Sequence, residues 1–448
     1  MEFKQVSKLL EIYKKHSIVS TDSRNIPAKC IFFALKGPNF DGNQFALQAL
    51  EKGAAFVVVD DQEIYAANKN NPRFLYSSNV LKTLQELARL YREELAIPVL
   101  AIGGSNGKTT TKELIKTVLS TQFRTHATRG NLNNHIGLPL TLLSMPANTE
   151  IAVIELGTNQ PGDIAELLEI CEPDFGLITN IGKEHLEGFG NIEGVAREES
   201  ELFHYLKKHG GLAFVNSDDP WLETMATRLD RMISYGRGEG ATTTAKLLGS
   251  LPGVSMELDS GIEVHSQLPG AFNFPNILAA FAVARHFGIP DWITKTAVES
   301  YVSQNNRSQI IEKGGYTFFM DCYNANPSSM EMALQTLADH KGDAFFILGD
   351  MLELGTYEEE EHRIVVDLLK KLKLEKGIFI GPAFAKALGK DSRSFMDAEL
   401  ASAYLKNHLP KAGSLIFLKG SRGIAVERAI SFILENPESS KFQAPNSK

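Results

Sequence analysis

Apolar residues first recur along this chain with a helical step, as Val6, Leu9, Leu10 and Tyr13 fall on one face. Short apolar runs at 30–35 and 55–59 read as strands, with a helix at 45–52 between them. An amphipathic stretch at 80–94 predicts a helix that closes this pattern before Pro98. Runs at 99–102, 151–154, 176–181 and 212–216 are short and apolar, and helical stretches separate them. That alternation predicts βαβ units around a parallel sheet. From 235 to 268 the pattern turns to strands and turns, an excursion expected at the sheet edge, and a helix follows at 276–287. Beyond 307, strands at 317–321, 344–348, 377–380 and 415–418 alternate with helices at 329–338, 358–372 and 424–434, a second Rossmann-like unit. The tail after 436 is polar and proline-containing and is expected to fray.

In open parallel sheets ligands gather at the carboxyl ends of strands. Here the first strand of the middle segment runs into Gly103-Gly104-Ser105-Asn106-Gly107-Lys108-Thr109-Thr110 and then into Leu114, Ile115, Val118 and Leu119 at helical spacing. A glycine-rich turn between strand and helix aims backbone N–H groups and a helix N-terminus at one spot, which suits a phosphate. Lys108 would reach the outer phosphates and the Thr109 hydroxyl would sit on Mg²⁺. Ile102 stands where the first glycine of the common P-loop belongs, so this loop is one residue shorter. The plain alternative is a strand-to-helix turn with a surface lysine. The expected class is α/β with three domains: a small α/β domain at 1–97, a central P-loop-type ATPase domain with a mostly parallel sheet at 98–306, and a Rossmann-like domain at 307–448.

Composition narrows the classes. Of the 448 residues, 43% are hydrophobic and 22% charged, values of a soluble globular chain. A formal net charge of −8 argues against a nucleic-acid partner. No apolar run is long enough to span a bilayer, and no apolar h-region follows the N-terminus. The 3 cysteines, Cys30, Cys171 and Cys322, lack zinc or disulfide spacing and read as small buried residues of a protein kept in a reducing cytoplasm.

Other strand ends carry candidate chemistry. Glu155 closes the run 151–154, where a carboxylate can hold nucleotide-bound Mg²⁺ or simply face solvent. His185 lies just beyond another strand and can be a metal ligand, a phosphate contact, a base or a structural histidine. The amides in 128–134, Asn133 and Asn134 among them, can bind an oxygen-rich substrate or form a polar loop. In the last segment Asp321 can take a ribose hydroxyl, and Lys419 and Arg422 can take carboxylates or phosphates. The turns at 21–24 and 37–42 are equally compatible with plain loops.

Taken in order, these pieces resemble the Mur ligases over nearly the whole chain. The loop 104–113 matches that family's ATP loop, 131–143, 155–157 and 180–190 its central domain, 321–330 and 419–422 its last domain, and 21–24 with 35–42 its UDP-binding domain. The last domain lacks the Asp-Asn-Pro-Arg loop of the diaminopimelate-adding branch. Its stretches 323–330 and 348–355 resemble the branch that takes D-alanyl-D-alanine. The resemblance implies an ATP-dependent amide ligase acting on UDP-N-acetylmuramoyl-tripeptide and D-alanyl-D-alanine through an acyl phosphate, in peptidoglycan precursor synthesis. It implies a monomer using ATP and two Mg²⁺ ions, held by Thr109, Glu155 and His185. Nucleotide contacts would come from Gly104 to Thr110, Asn273, Asn276, Arg307 and Asp321. The UDP substrate would meet Ser23, Arg24, Lys36, Asp41, Gly42, Asn133 and Asn134. The dipeptide, or closure of the last domain, would involve Asn324, Asn326, Lys419, Ser421 and Arg422.

Three positions depart from the family pattern. Glu199 stands fourteen residues after His185, where the family usually carries a carbamylated lysine, and is expected to supply that carboxylate as a third catalytic residue beside Lys108 and His185. The bland alternative is a helix-surface acid. Phe272 and Asn43 stand where the family has histidine. Other readings are a folylpolyglutamate-synthase-like ligase, which lacks the UDP-binding domain, a catalytically silent nucleotide-sugar binder, and a plain P-loop kinase.

Overall fold

The computed structural model describes residues 3–304, 306–389 and 393–435. The expected fraying after 436 lies outside the described residues. The chain folds into three α/β layers, each around its own main sheet. The first is a four-stranded parallel sheet in the order Val19–Ser20, Ile31–Phe33, Phe56–Val59, Phe74–Tyr76. The helix Val80–Leu95 ends it as the sequence suggests. Asn79 caps its N-terminus by accepting from the Lys82 N–H, and Ala96 turns left-handed just before Pro98.

That helix does not belong to the first layer alone. Leu84, Leu87 and Ala88 join one apolar core with Leu138, Leu142 and Leu168 of the middle segment. The Tyr91 hydroxyl donates to the Met145 carbonyl at 2.8 Å, and Tyr13 donates to Leu143 O. Pro98 therefore separates two sheets that share one apolar core, while each sheet keeps a further core of its own.

The middle sheet runs Thr125–Ala127, Ile151–Glu155, Val99–Gly103, Phe175–Ile178, Leu212–Asn216, Met232–Gly236, all parallel. The excursion at 235–268 is found at the edge, where Thr243–Gly249 continues the sheet in parallel and Ser255–Leu258 and Glu263–His265 add an antiparallel meander. Val99–Gly103 sits where the connections on either side diverge, and that opens a crevice at its carboxyl end.

The strand expected at 176–181 stops at Ile178. Asn180 leaves the ladder because its side chain is engaged with the glycine-rich loop. Its Oδ1 accepts from Asn106 N at 3.1 Å and its Nδ2 donates to Asn106 O at 2.8 Å.

In the last segment Tyr316–Asp321, Leu415–Lys419, Ala344–Gly349, Gly377–Ile380 and Ser394–Phe395 are parallel, with Gln309–Lys313 antiparallel at the edge. The helix expected at 424–434 is not continuous. Ala425 adopts φ 51° and separates one 3₁₀ turn, Arg422–Ile424, from a second, Val426–Ile430, which runs on into a short α-turn, Ser431–Leu434. Val426, Ile430 and Ile433 are still buried, so the apolar spacing that suggested a helix is satisfied by tighter turns.

Candidate active site

The glycine-rich loop leaves the end of Val99–Gly103 and feeds the helix Lys108–Leu119 through Gly107 at φ 84°. Gly104 has φ 108°, and a Cβ there would come within 2.6 Å of the Thr179 N, which the sheet holds in place. Gly104→Ala is expected to destabilise the protein by roughly 2 kcal/mol or more and to abolish nucleotide binding. Thermal unfolding and nucleotide titration check both.

Around this loop lies a cavity of about 680 Å³ between the middle and last segments. Ser105 to Thr110, Asn133, Asn134, Glu155, Glu184 and His185 line one side. Arg307, Asp321, Asn324, Asn326 and Lys419 line the other, and Phe272, Asn273 and Asn276 close one end. The structure thus gathers most of the predicted nucleotide, metal and dipeptide residues. Ser23, Arg24, Lys36, Asp41 and Gly42 do not line this cavity; they sit on connections of the first sheet, Lys36 and Asp41 paired in a short antiparallel hairpin, Lys36–Gly37 with Phe40–Asp41. There Arg24 pairs with Asp22 at 2.9 Å and Lys36 lies 3.5 Å from Asp60. Asn43 is buried and braces that turn through the Asp41 and Asp60 carboxylates.

Each member of the cavity wall has a defined support. The Thr109 hydroxyl donates to Glu155 at 2.9 Å, and Asn133 Nδ2 donates to the same carboxylate at 3.0 Å. Lys112, fully buried, stands 3.4 Å from Glu155 and donates to Thr128 O at 2.7 Å. The Asn134 Oδ1 is occupied by the N–H groups of Ile136 and Gly137. Asn276 accepts from the Thr111 hydroxyl and donates to Asn273, so this pair buttresses the loop as well as lining the cavity.

Lys419 is paired with Asp321 at 2.6 Å. Arg307 lies over the Tyr323 ring, 3.6 Å from its centroid. Arg422 lines an adjoining hollow with Thr109, Thr110 and Arg307. Ser421 is buried and lines neither hollow; its hydroxyl accepts from Leu352 N at 2.9 Å.

Charge is concentrated at Lys108. Its Nζ donates to Gly104 O and stands 3.5 Å from Glu184. Burial alone would lower the ammonium's pKa. Glu184, Glu199 and Glu155 together outweigh burial and hold it above the ordinary lysine range.

Glu199 is not a surface acid. It is fully buried behind the loop, where one oxygen accepts from Gly104 N at 2.7 Å and the other lacks a hydrogen-bond partner. Burial pushes its carboxyl up from 4.5 to about 7, with Lys108 opposing and Glu184 adding to the shift. The unfolded side chain releases its proton near 4.5 and the folded one only near 7. The folded state therefore binds more protons in that window, and stability falls as pH rises through it. Without ligand, Glu199→Gln is expected to remove up to about 3 kcal/mol of that decline. Urea unfolding at pH 5 and pH 8 measures it.

Three residues inside or next to these motifs have roles that depend on distant partners. Lys112 and Glu184 form part of the charge cluster. Glu198 caps the helix Asp163–Cys171 by accepting from Gly162 N and Ile164 N at 2.8 and 2.7 Å. Asn326 was expected at the dipeptide or in closure. It caps the helix Pro327–Ala338 and donates to Asn106 Oδ1 at 2.9 Å, a direct bridge from the last segment to the loop. Lys183 adds two more bridges, accepting on neither: its N donates to Ser328 Oγ at 2.8 Å and its Nζ to Glu361 at 2.6 Å.

Family models match in three consecutive blocks. They are described as Mur ligase family, catalytic domain (15–100), Mur ligase middle domain (102–284), and Mur ligase, glutamate ligase domain (306–422). The UDP-N-acetylmuramoyl-tripeptide–D-alanyl-D-alanine ligase of Bacillus subtilis is 35% identical, over 94% of this chain and 93% of that one. The enzyme of that name from Escherichia coli is 32% identical, over 93% and 94%. A crystal structure of MurF from Acinetobacter baumannii superposes with a TM-score of 0.84 at 30% identity, over 97% of this chain and 98% of that chain. MurF from Thermotoga maritima in complex with ADP superposes at 0.82 with 27% identity, over 92% and 96%.

Proposed function

The chain belongs to the Mur ligase family, and from that premise we propose that it joins D-alanyl-D-alanine to UDP-N-acetylmuramoyl-tripeptide at the expense of ATP, in the cytoplasmic supply of peptidoglycan precursors. The observation that carries the reading is the shared cavity. The middle segment contributes Lys108, Thr109 and Glu155 to it, and the last segment contributes Asn324, Asn326 and Lys419.

The chemistry takes two steps. The substrate's terminal carboxylate oxygen attacks the γ-phosphorus of ATP, giving an acyl phosphate and ADP. The free amine of D-alanyl-D-alanine then attacks the acyl carbon, an amide forms, and inorganic phosphate leaves with the former carboxylate oxygen. The first step brings two anions together. Lys108, aimed into the loop, lowers that repulsion, and the backbone N–H groups of 107–109 at the start of the helix Lys108–Leu119 cradle the phosphates.

The donor set at Glu155 and Thr109 fits Mg²⁺, since both present hard oxygens to the cavity and Asn133 orients the carboxylate. Bound there, Mg²⁺ would supply charge neutralisation across the phosphates. His185 borders the same cavity and serves a second ion in this reading. Glu199 supports the reading differently from first expectation. Its carboxylate holds the Gly104 N–H from behind the loop, and it does not line the cavity. The first sheet, whose loops lie apart from the cavity, holds the uridine end, and the protein works as a monomer. A folate-type ligase would leave residues 1–97 without a role.

The test is ADP release with UDP-N-acetylmuramoyl-tripeptide, with and without D-alanyl-D-alanine. Release that needs both supports the reading. Turnover with a folate and glutamate, or binding without turnover, overturns it.

A further inference from the structure

His185 and Glu353 face each other across the seam between the middle and last segments. Both are non-glycine residues in the left-handed region, at φ 44° and 63°. Glu353 Oε2 lies 2.6 Å from His185 Nδ1, and the Glu353 carbonyl accepts from Glu187 N at 3.2 Å. The other ring nitrogen of His185 points toward Glu184, 3.9 Å away at the cavity wall.

The turn that presents Glu353 is built to hold it there. Three successive backbone N–H groups before it are tied down: Asp350 N to Ile380 O at 2.9 Å, Met351 N to His362 Nε2 at 3.0 Å, and Leu352 N to Ser421 Oγ at 2.9 Å. The Asp350 carboxylate in turn accepts from Ala383 N and Phe384 N, both at 2.8 Å. His362 is fully buried, and its Nδ1 is engaged by Glu358 O at 2.7 Å. Strained backbone persists only where the surroundings over-determine it, and such strain clusters where geometry matters for function.

We infer that Glu353 is a positioning residue: docked across the seam, its carboxylate takes the Nδ1–H of His185 and so leaves Nε2 as the free lone pair facing the cavity. A carboxylate on one imidazole nitrogen fixes both the tautomer and the ring plane of the other. Because the two residues sit on different segments, His185 is correctly set only while the last segment is docked. Closure and readiness for chemistry are thereby coupled. This rests on the ligase reading, in which closure precedes phosphoryl transfer.

The full chain labelled with ¹⁵N in its histidine rings gives a readout independent of turnover. The His185 signals are identified by their loss in His185→Asn. The neutral ring of the wild type should carry its proton on Nδ1, and Glu353→Ala should give mixed tautomers. In kinetics Glu353→Ala should lower kcat about 10–100-fold, with KM for ATP and for the tripeptide nucleotide changed less than about twofold. Glu353→Gln, which can still accept from Nδ1–H, should recover part of the loss. Unchanged ring signals in Glu353→Ala overturn the inference, as does a wild-type kcat. A wild type with no ligase turnover would overturn the function, while the ring signals would still report on the positioning.

Discussion

Lys108→Ala is expected to lower ligation by about a thousandfold or more while binding of the UDP substrate changes little. The magnitude follows from removing a preorganised donor aimed at developing charge in a water-poor cleft. Selectivity follows from placement, because the first-sheet loops carrying Arg24 and Lys36 lie outside the cavity that Lys108 lines. The substitution also strips the ammonium that stands 3.5 Å from Glu184 and opposes the upward shift at Glu199, two carboxylates that each have an oxygen without a hydrogen-bond partner. Glu199 should then hold its proton to still higher pH, and the thermal midpoint should drop. Lys108→Met keeps the volume and separates packing from charge. Steady-state ADP release, with UDP-substrate titration alongside, checks the result. Near-normal turnover in either variant would contradict it.

Glu155→Gln is expected to cost roughly 10²–10³ in kcat and to destabilise the protein by about 3 kcal/mol. Two effects coincide at this residue. The carboxylate is the hard anionic oxygen at the end of the strand Ile151–Glu155, next to the Thr109 hydroxyl, where divalent-ion binding is proposed. It is also the buried partner of Lys112, which lies 3.4 Å away with no exposed surface. Glutamine keeps the shape but not the charge. Lys112 would retain Glu113 at 3.1 Å and the Thr128 carbonyl, so the chain should still fold. Higher Mg²⁺ should partly restore turnover but not the thermal midpoint. Rescue of both, or of neither, would show that one of the two roles is misassigned.

Much of this arrangement was legible in the sequence because it is local. The parallel strands at 99–103, 151–155 and 212–216 are apolar runs bounded by turns, and Gly104, Gly107, Lys108 and Thr109 form a contiguous motif. Residues whose role depends on distant partners were not legible. Glu199 looked like a helix-surface acid or a substitute ligand until its carboxylate was seen on Gly104 N, a partner 95 positions away. Glu353 lay inside a recognised stretch, but nothing in that stretch reveals that it reaches His185. Ser421 was expected at the ligand and instead anchors the Leu352 N–H that aims Glu353. The apolar period at 424–434 suggested a helix because burial at that spacing is shared by 3₁₀ turns, and the left-handed Ala425 that interrupts it carries no side-chain signal.

The central claim is that a phosphoryl group gripped by the Lys108 loop passes to the substrate's carboxylate before the amine attacks. It is tested most directly by carrying out the reaction with UDP-N-acetylmuramoyl-tripeptide whose terminal carboxylate is labelled with ¹⁸O, and analysing the released phosphate by mass spectrometry. The account predicts one ¹⁸O transferred into each phosphate, dependent on ATP and lost in Lys108→Ala. Unlabelled phosphate released alongside amide product would contradict it.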